Sequence, residues 1–257
     1  MLPSIFISHG SPRLSIMDNE SSTFLKNLSS LFIEPKYILV ISAHWTTKDL
    51  KILSNENPKI IYDFFGFEDK LYQQKYHAKN DIKQVNKIID LLTQNNIKIQ
   101  KDKIREGYDH GVWSILGLLY PKANIPVIQL SLPLSYSIKQ LLNLGKVLQE
   151  VRKDTLIIGS GAMTHDIQNS NYKENAPVEK EAEKFRNWVV SKIENQDFNT
   201  LENFMQTAPH LDKNHPTLEH ILPLFISLGA SQNKIGTFLN NIYMYGNQAM
   251  DTILFKE

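Results

Sequence analysis

Apolar residues fall along this chain in two rhythms. Short runs rich in Ile and Val occupy 4–8, 37–42, 126–131 and 155–159. Their near-continuous apolar character is the pattern of strands covered on both faces in a largely parallel sheet. Between the runs the apolar positions spread to helical spacing. Residues 81–95 carry Ile82, Val85, Ile88, Ile89 and Leu92 in this rhythm, and 135–151 carry Ile138, Leu141, Leu144, Leu148 and Val151. A third helix is predicted over 177–194, with Pro177 in its first turn and Ala182, Phe185, Val189 and Ile193 on one face. Another should begin near Leu222, just ahead of Pro223. Strands alternating with helices predict an α/β fold: a single three-layer domain over 1–257, with a central mostly parallel or mixed sheet flanked by helices. Stretches 55–80 and 168–176 keep neither rhythm and read as long polar loops, a common place for function in compact domains.

Composition narrows the class. A chain of 257 residues, 42% hydrophobic and 21% charged, can bury a sizeable core. A net charge of +1 supplies no basic face for nucleic acid or an anionic membrane. The absence of cysteine excludes disulfides, thiolate zinc sites, iron–sulfur clusters and a Cys nucleophile, and fits a reducing compartment. No signal-peptide pattern opens the sequence, and no run approaches the roughly 18 apolar residues of a membrane span. The expectation is a cytoplasmic protein, monomer or small homo-oligomer, with a small-molecule partner.

The chemistry concentrates in histidine. The run I-L-V-I-S-A-H-W ends on His44, P-S-I-F-I-S-H-G-S-P ends on His9, and T-L-I-I-G-S-G-A-M-T-H reaches His165. In open α/β sheets ligands bind beyond the carboxyl ends of the strands, where these three should lie. The segment N-H-P-T-L-E-H-I-L-P-L-F adds His215, Glu219 and His220, with His220 in a loop at a helix entrance. In G-Y-D-H-G-V-W, His110 opens the apolar run 112–119. A single histidine near a strand end is more often a hydrogen-bonded structural residue, and His77 and His210 stay in that class. Several convergent imidazoles call for a metal or a transferable proton. No local motif such as H-E-x-x-H is present, so spacing alone leaves metal site and structural histidines evenly matched. G-S-G at 159–161 is not the G-x-S-x-G nucleophile elbow.

Six segments taken together tip the balance. F-I-S-H-G-S-P, I-S-A-H-W, I-Y-D-F-F-G-F, G-Y-D-H-G-V-W, G-S-G-A-M-T-H and H-P-T-L-E-H-I-L-P-L resemble, in order and with similar gaps, the class III extradiol ring-cleavage dioxygenases. They are most similar to the DOPA-dioxygenase-like bacterial branch. The resemblance implies a non-haem Fe(II), replaceable by Zn(II), that brings a catechol and O₂ together. It implies His9 and His44 as metal ligands, with His220 as the third and Glu219 as its alternative. It implies His165 as the acid/base, with a pKa near neutral, and as an additional ligand for a substitute zinc. His110 would line the pocket and hydrogen-bond substrate or O₂.

The sequence departs from the family at three places. The usual D-F-G-G-F-P reads D-F-F-G-F-E, with Phe65 for Gly and Glu68 for Pro; Asp166 stands where Asn is expected; and Tyr76 is followed by His-Ala-Lys-Asn. These bear on the substrate, since the 62–80 loop should shape the pocket mouth, with Tyr62, Phe64, Phe65, Tyr72 and Tyr76 available to stack on a substrate side chain. Two other readings compete: a zinc-dependent hydrolase, and a metal-binding, non-catalytic interaction protein of the same fold.

Overall fold

The four Ile- and Val-rich runs form the middle of one sheet. A computed structural model describes residues 1–173 and 176–256. Its strands are β1 (Ser4–Ser8), β2 (Tyr37–Thr47), β3 (Lys51–Leu53), β4 (Lys59–Ile60), β5 (Gln100–Asp102), β6 (Gly107–Tyr108), β7 (Val127–Pro133), β8 (Thr155–Gly161), β9 (Gly236–Leu239), β10 (Tyr243–Met244), β11 (Gln248–Ala249) and β12 (Thr252–Phe255). Its helices are α1 (Glu20–Leu28), α2 (Asp69–Tyr72), α3 (Ile82–Gln94), α4 (His110–Leu119), α5 (Ile138–Leu148), α6 (Lys180–Glu194), the short α7 (Phe198–Glu202), α8 (Phe204–Thr207) and α9 (Leu211–Asn214), and α10 (Leu222–Gly229). The main sheet runs β5-β3-β7-β2-β8-β1-β12-β9. Its centre, β7-β2-β8-β1, is parallel. The flank β1-β12-β9 and the β3–β7 pair are antiparallel, so the sheet is mixed.

The strands are apolar on both faces because helices cover both. Phe6, Leu39, Ile41 and Ile157 pack under α3, α5, α6 and α10. Their neighbours Ile5, Ile7, Ile38, Val40, Leu156 and Ile158 pack against α1 and α4 on the other side. Alternate residues thus feed two cores, and the polar face that would give a period of two is absent.

Several boundaries move. The helix predicted over 177–194 begins at Lys180, so Pro177 precedes it and sits outside its first turn. The helix predicted over 135–151 is α-helical only from Ile138 to Leu148 and then tightens into a 3₁₀ turn. The 55–80 stretch contains β4 and α2; of the 168–176 loop, positions 174–175 lie outside the described residues. The chain does not leave β2 before His44, as the apolar run implied. It stays extended to Thr47, while the pairing with β8 stops at Ser42 and the register with β7 shifts between Ile41 and Thr46. His44 therefore sits in an irregular stretch of strand, where the local ladder is given up and a side chain can be re-aimed. Among the described residues no helix is long and apolar enough to cross a membrane.

Candidate metal centre and active site

His9 follows β1 directly and is buried. Its Nδ1 lies 2.9 Å from Ser160 Oγ on β8. Ser160 donates its single hydroxyl proton to the carbonyl of Gly111 at 2.5 Å. Toward His9 the serine oxygen must then accept, which places the His9 proton on Nδ1 and leaves the Nε2 lone pair free.

His44 is aimed by a network behind it. Its backbone N–H donates to Ser42 Oγ at 3.1 Å, and Ser42 donates to Asp109 Oδ1 at 2.5 Å. Asp109 also accepts from Arg105 Nη2 at 2.7 Å and Gln129 Nε2 at 2.6 Å. Fully engaged, Asp109 stands at the N-cap position of α4 without making a side-chain cap. Asp63, from the long loop, supplies the cap: its Oδ1 accepts the His110 backbone N–H at 3.0 Å. The same carboxylate lies 3.3 Å from His44 Nδ1 and 3.0 Å from His110 Nδ1, both close ionic contacts without hydrogen-bond alignment. Burial works against the Asp63 charge, but the contact with His110 and the nearby imidazoles outweigh it and hold this carboxyl below its ordinary range.

His220 precedes α10, in a turn that packs tightly on β8. Gly161 permits this approach: a Cβ there would collide with the His220 carbonyl, which instead accepts the Ala162 N–H at 2.8 Å. His220 Nδ1 lies 3.0 Å from Glu219 Oε1, which also accepts from Thr217 Oγ1 at 2.8 Å. His165 stacks on the His220 ring, with centroids 3.3 Å apart and planes at 13°, and its backbone N–H is held by the Asn214 carbonyl at 2.7 Å.

The free ring nitrogens converge. His44 Nε2 is 3.1 Å from His9 Nε2 and 3.2 Å from His220 Nε2. Each ring has an oxygen behind its Nδ1, so protons there turn three lone pairs on one another. Burial, the largest cause, drives His9 and His220 well below the usual histidine pKa and His44 to about 4, so none carries a relieving charge at neutral pH. Moving the His44 proton to Nε2 would set a bare Nδ1 against the Asp63 carboxylate. A cation between the three nitrogens resolves the conflict. With metal–nitrogen bonds of about 2.1 Å, nitrogens on one ion lie roughly 3.0–3.4 Å apart, which both spacings from His44 match. Oxygen partners on the far ring nitrogens are the usual outer shell of metal-bound histidines. Glu219 and His165 lie in one group with His220, and His110 in another with His9 and His44, each within 4.8 Å.

A cavity of about 250 Å³ opens over this cluster. His9, His44, His110 and His165 form its floor, and Phe64, Phe67, Ile167, Tyr172 and Tyr245 its walls. His165 falls to about 4 through burial, partly opposed by Glu219, rather than staying near neutral as expected. It is therefore unprotonated at neutral pH and free to accept a proton, and an anionic ligand beside it would raise its pKa.

The aromatic expectation needs correcting. Phe65 is 91% exposed and Tyr76 is buried in the α4-side core, so neither reaches the cavity. Gly66, at φ +76°, reverses the loop so that Phe64 and Phe67 turn inward and Phe65 outward. Tyr62 and Tyr72 buttress Phe64 from behind, at 6.0 and 5.2 Å between centroids. His77 and His210 are exposed and lie outside the cavity. His215 is buried, 2.9 Å from the Met163 carbonyl through Nε2, and does not line the cavity. Asp63, Phe67, Tyr172 and Tyr245 are not singled out from the sequence, although Asp63 and Phe67 lie inside the aromatic segment I-Y-D-F-F-G-F; Ser160 is weighed there only as part of G-S-G.

Comparison with known proteins gives a consistent picture. Residues 3–253 match the family described as the catalytic LigB subunit of aromatic ring-opening dioxygenase. A 4,5-DOPA dioxygenase extradiol of Beta vulgaris is 35% identical over 92% of this chain and 90% of its own length. One of Escherichia coli K12 is 30% identical over 89% and 85%. The crystal structure of an uncharacterized protein from Escherichia coli K12 superposes with a TM-score of 0.82 over the full length of both chains at 24% identity, a likeness of fold.

Proposed function

The chain belongs to the family of catalytic LigB subunits of aromatic ring-opening dioxygenases and is an extradiol oxidoreductase; from that premise we propose that it opens the ring of a catechol bearing a para side chain, with a non-haem Fe(II) held by His9, His44 and His220. The observation that carries the metal assignment is the convergence of three Nε2 atoms, from buried His9 and His220 and half-buried His44, each ring backed by an oxygen at Nδ1. Glu219 Oε1 takes both Thr217 and His220, which supports this carboxylate as the acceptor behind His220, with its other oxygen keeping Glu219 the alternative ligand.

Bound there, Fe(II) would supply the one-electron chemistry that lets catechol and O₂ react. The other steps belong to the protein. His165, unprotonated and beside the cluster, takes a phenolic proton as the catechol enters and returns it to the opening product. His110, its ring 3.9 Å from that of His44, offers a hydrogen bond to oxygen as negative charge develops. Phe64 and Phe67 hold the ring plane and keep water away from the reacting carbons. The ring opens beside the two hydroxylated carbons rather than between them. DOPA, dihydroxyphenylpropanoids and caffeate-like acids form the substrate panel, with the whole chain acting as one catalytic unit.

The test is O₂ consumption together with the yellow absorbance of a ring-opened semialdehyde, compared across Fe(II), Zn(II) and metal-free protein kept anaerobic before assay. Uptake confined to the Fe(II) form supports the proposal. No uptake across the panel, with ester or amide hydrolysis by the Zn(II) form, would replace it with a hydrolase.

A further inference from the structure

Arg13 stands four residues after His9, in the 3₁₀ turn Pro12–Ser15, and lines the cavity. It is the one Lys or Arg among the described residues that does so; the other lining groups are imidazoles, aromatic or aliphatic side chains and small polar residues. Its Nε donates to both oxygens of Glu68, at 3.0 and 3.2 Å. Glu68 arrives from the 62–80 loop, at the position where the related dioxygenases are expected to carry proline. Both side chains are substantially exposed, at 50% and 40%. An exposed pair of this kind contributes little to stability, so the fold does not account for it.

The geometry of the pair is informative. A guanidinium has five donors in a fixed fork, and Glu68 occupies only the Nε position. Nη1 and Nη2 have no partner among the described residues, and that end of the fork suits a carboxylate with two parallel bonds. The His cluster fixes where a catechol's oxygens would go, and the apolar walls carry its ring toward the mouth where Arg13 stands.

We propose that Arg13 recognises a carboxylate at the end of the substrate's side chain, with Glu68 as the positioning residue that holds the fork, so that the preferred substrates are catechols carrying a short acidic chain. This rests on the ring-opening reading and deepens it. Amine-terminated catechols meet the donor-only Nη end of the guanidinium at the same place and are selected against.

The test compares 3-(3,4-dihydroxyphenyl)propanoate with its uncharged homologue 4-ethylcatechol on Fe(II)-loaded enzyme. Arg13→Gln is expected to lower the ratio of kcat/KM, acid over neutral, by about tenfold to a hundredfold. Arg13→Lys, which keeps the charge and loses the fork, should fall between, and Glu68→Gln should act on KM for the acid rather than on kcat. Arg13→Glu should shift preference toward dopamine. Calorimetric binding of the same two catechols to the Zn(II)-loaded protein gives a readout without turnover. An unchanged ratio in Arg13→Gln and Arg13→Lys, with 4-ethylcatechol opened, overturns the role of Arg13 and leaves the ring-opening reading standing. Opening of no catechol, with acid binding still dependent on Arg13, does the reverse.

Discussion

Asp63→Asn is the most informative single change near the metal centre. The substitution is nearly isosteric and touches none of the three proposed ligands covalently. In the native chain one carboxylate oxygen accepts the His110 N–H at 3.0 Å and the other faces His44 Nδ1 at 3.3 Å. Asparagine can keep the first contact with its carbonyl oxygen. Its amide then presents N–H to a ring nitrogen that already carries a proton. Either the contact is lost, or His44 moves its proton to Nε2 and gives up the lone pair that faces the metal. Loss of such an outer partner costs about 10- to 100-fold in metal affinity, or about 1.4–2.8 kcal/mol. The measurement is metal retained after dialysis against graded chelator, alongside thermal melting of the metal-free proteins. Affinity within twofold of wild type, in a variant that melts normally, would refute the outer-shell argument. The pH dependence has a definite sign. The Asp63 carboxyl titrates lower folded than unfolded, so its contribution is present above the ordinary carboxylate range and is lost as pH falls through the folded value. The metal-free variant should therefore lose less stability on mild acidification than wild type.

Three further outcomes are expected. His9→Ala, His44→Ala and His220→Ala should each lose the bound metal by elemental analysis, and full occupancy in any one would remove that residue from the ligand set. His165→Ala should keep the metal and lose roughly 10²- to 10⁴-fold in kcat; parallel loss of metal would make His165 a ligand instead. Arg152, buried and donating to the carbonyls of Leu2, Ala230 and Phe255, ties three separate parts of the chain. Arg152→Ala should destabilise the fold by about 3 kcal/mol or more in chemical denaturation, because buried carbonyls lose their donor and a cavity remains.

The residues explain which features were legible in advance. The runs at 4–8 and 155–159 announce β1 and β8 because both faces of those strands are covered, and the histidines beyond them follow from that placement. The same signal does not reveal β12, whose Thr252–Phe255 is four residues long and pairs on one side with β1, far away in sequence. The apolar run leads to His44 but does not disclose its setting inside β2, since the shift in register depends on what β7 offers across the sheet. Asp63 and Glu68 lie in a loop without period, and their roles exist only once that loop folds back over α4 and Arg13. Aromatic content at 62–76 was visible, whereas the direction of each ring depended on the reversal at Gly66.

The order of strands in the sheet also sets a schedule for synthesis. β1 is made before every other strand of this sheet, and its two neighbours are β8 and β12, the latter being the last strand of that sheet in chain order. Until Thr155–Gly161 is available, Ser4–Ser8 has neither of its partners on its hydrogen-bonding edges. A nascent chain therefore carries the adhesive Ile5-Phe6-Ile7 segment unpaired while residues 9–154 are made, at a pace of about 5–20 residues per second. Pairings this distant in sequence also slow the search for the native arrangement. The topology that seats His9 beside β8 thus exposes the growing polypeptide to self-association and gives chaperones a reason to engage its first segment early.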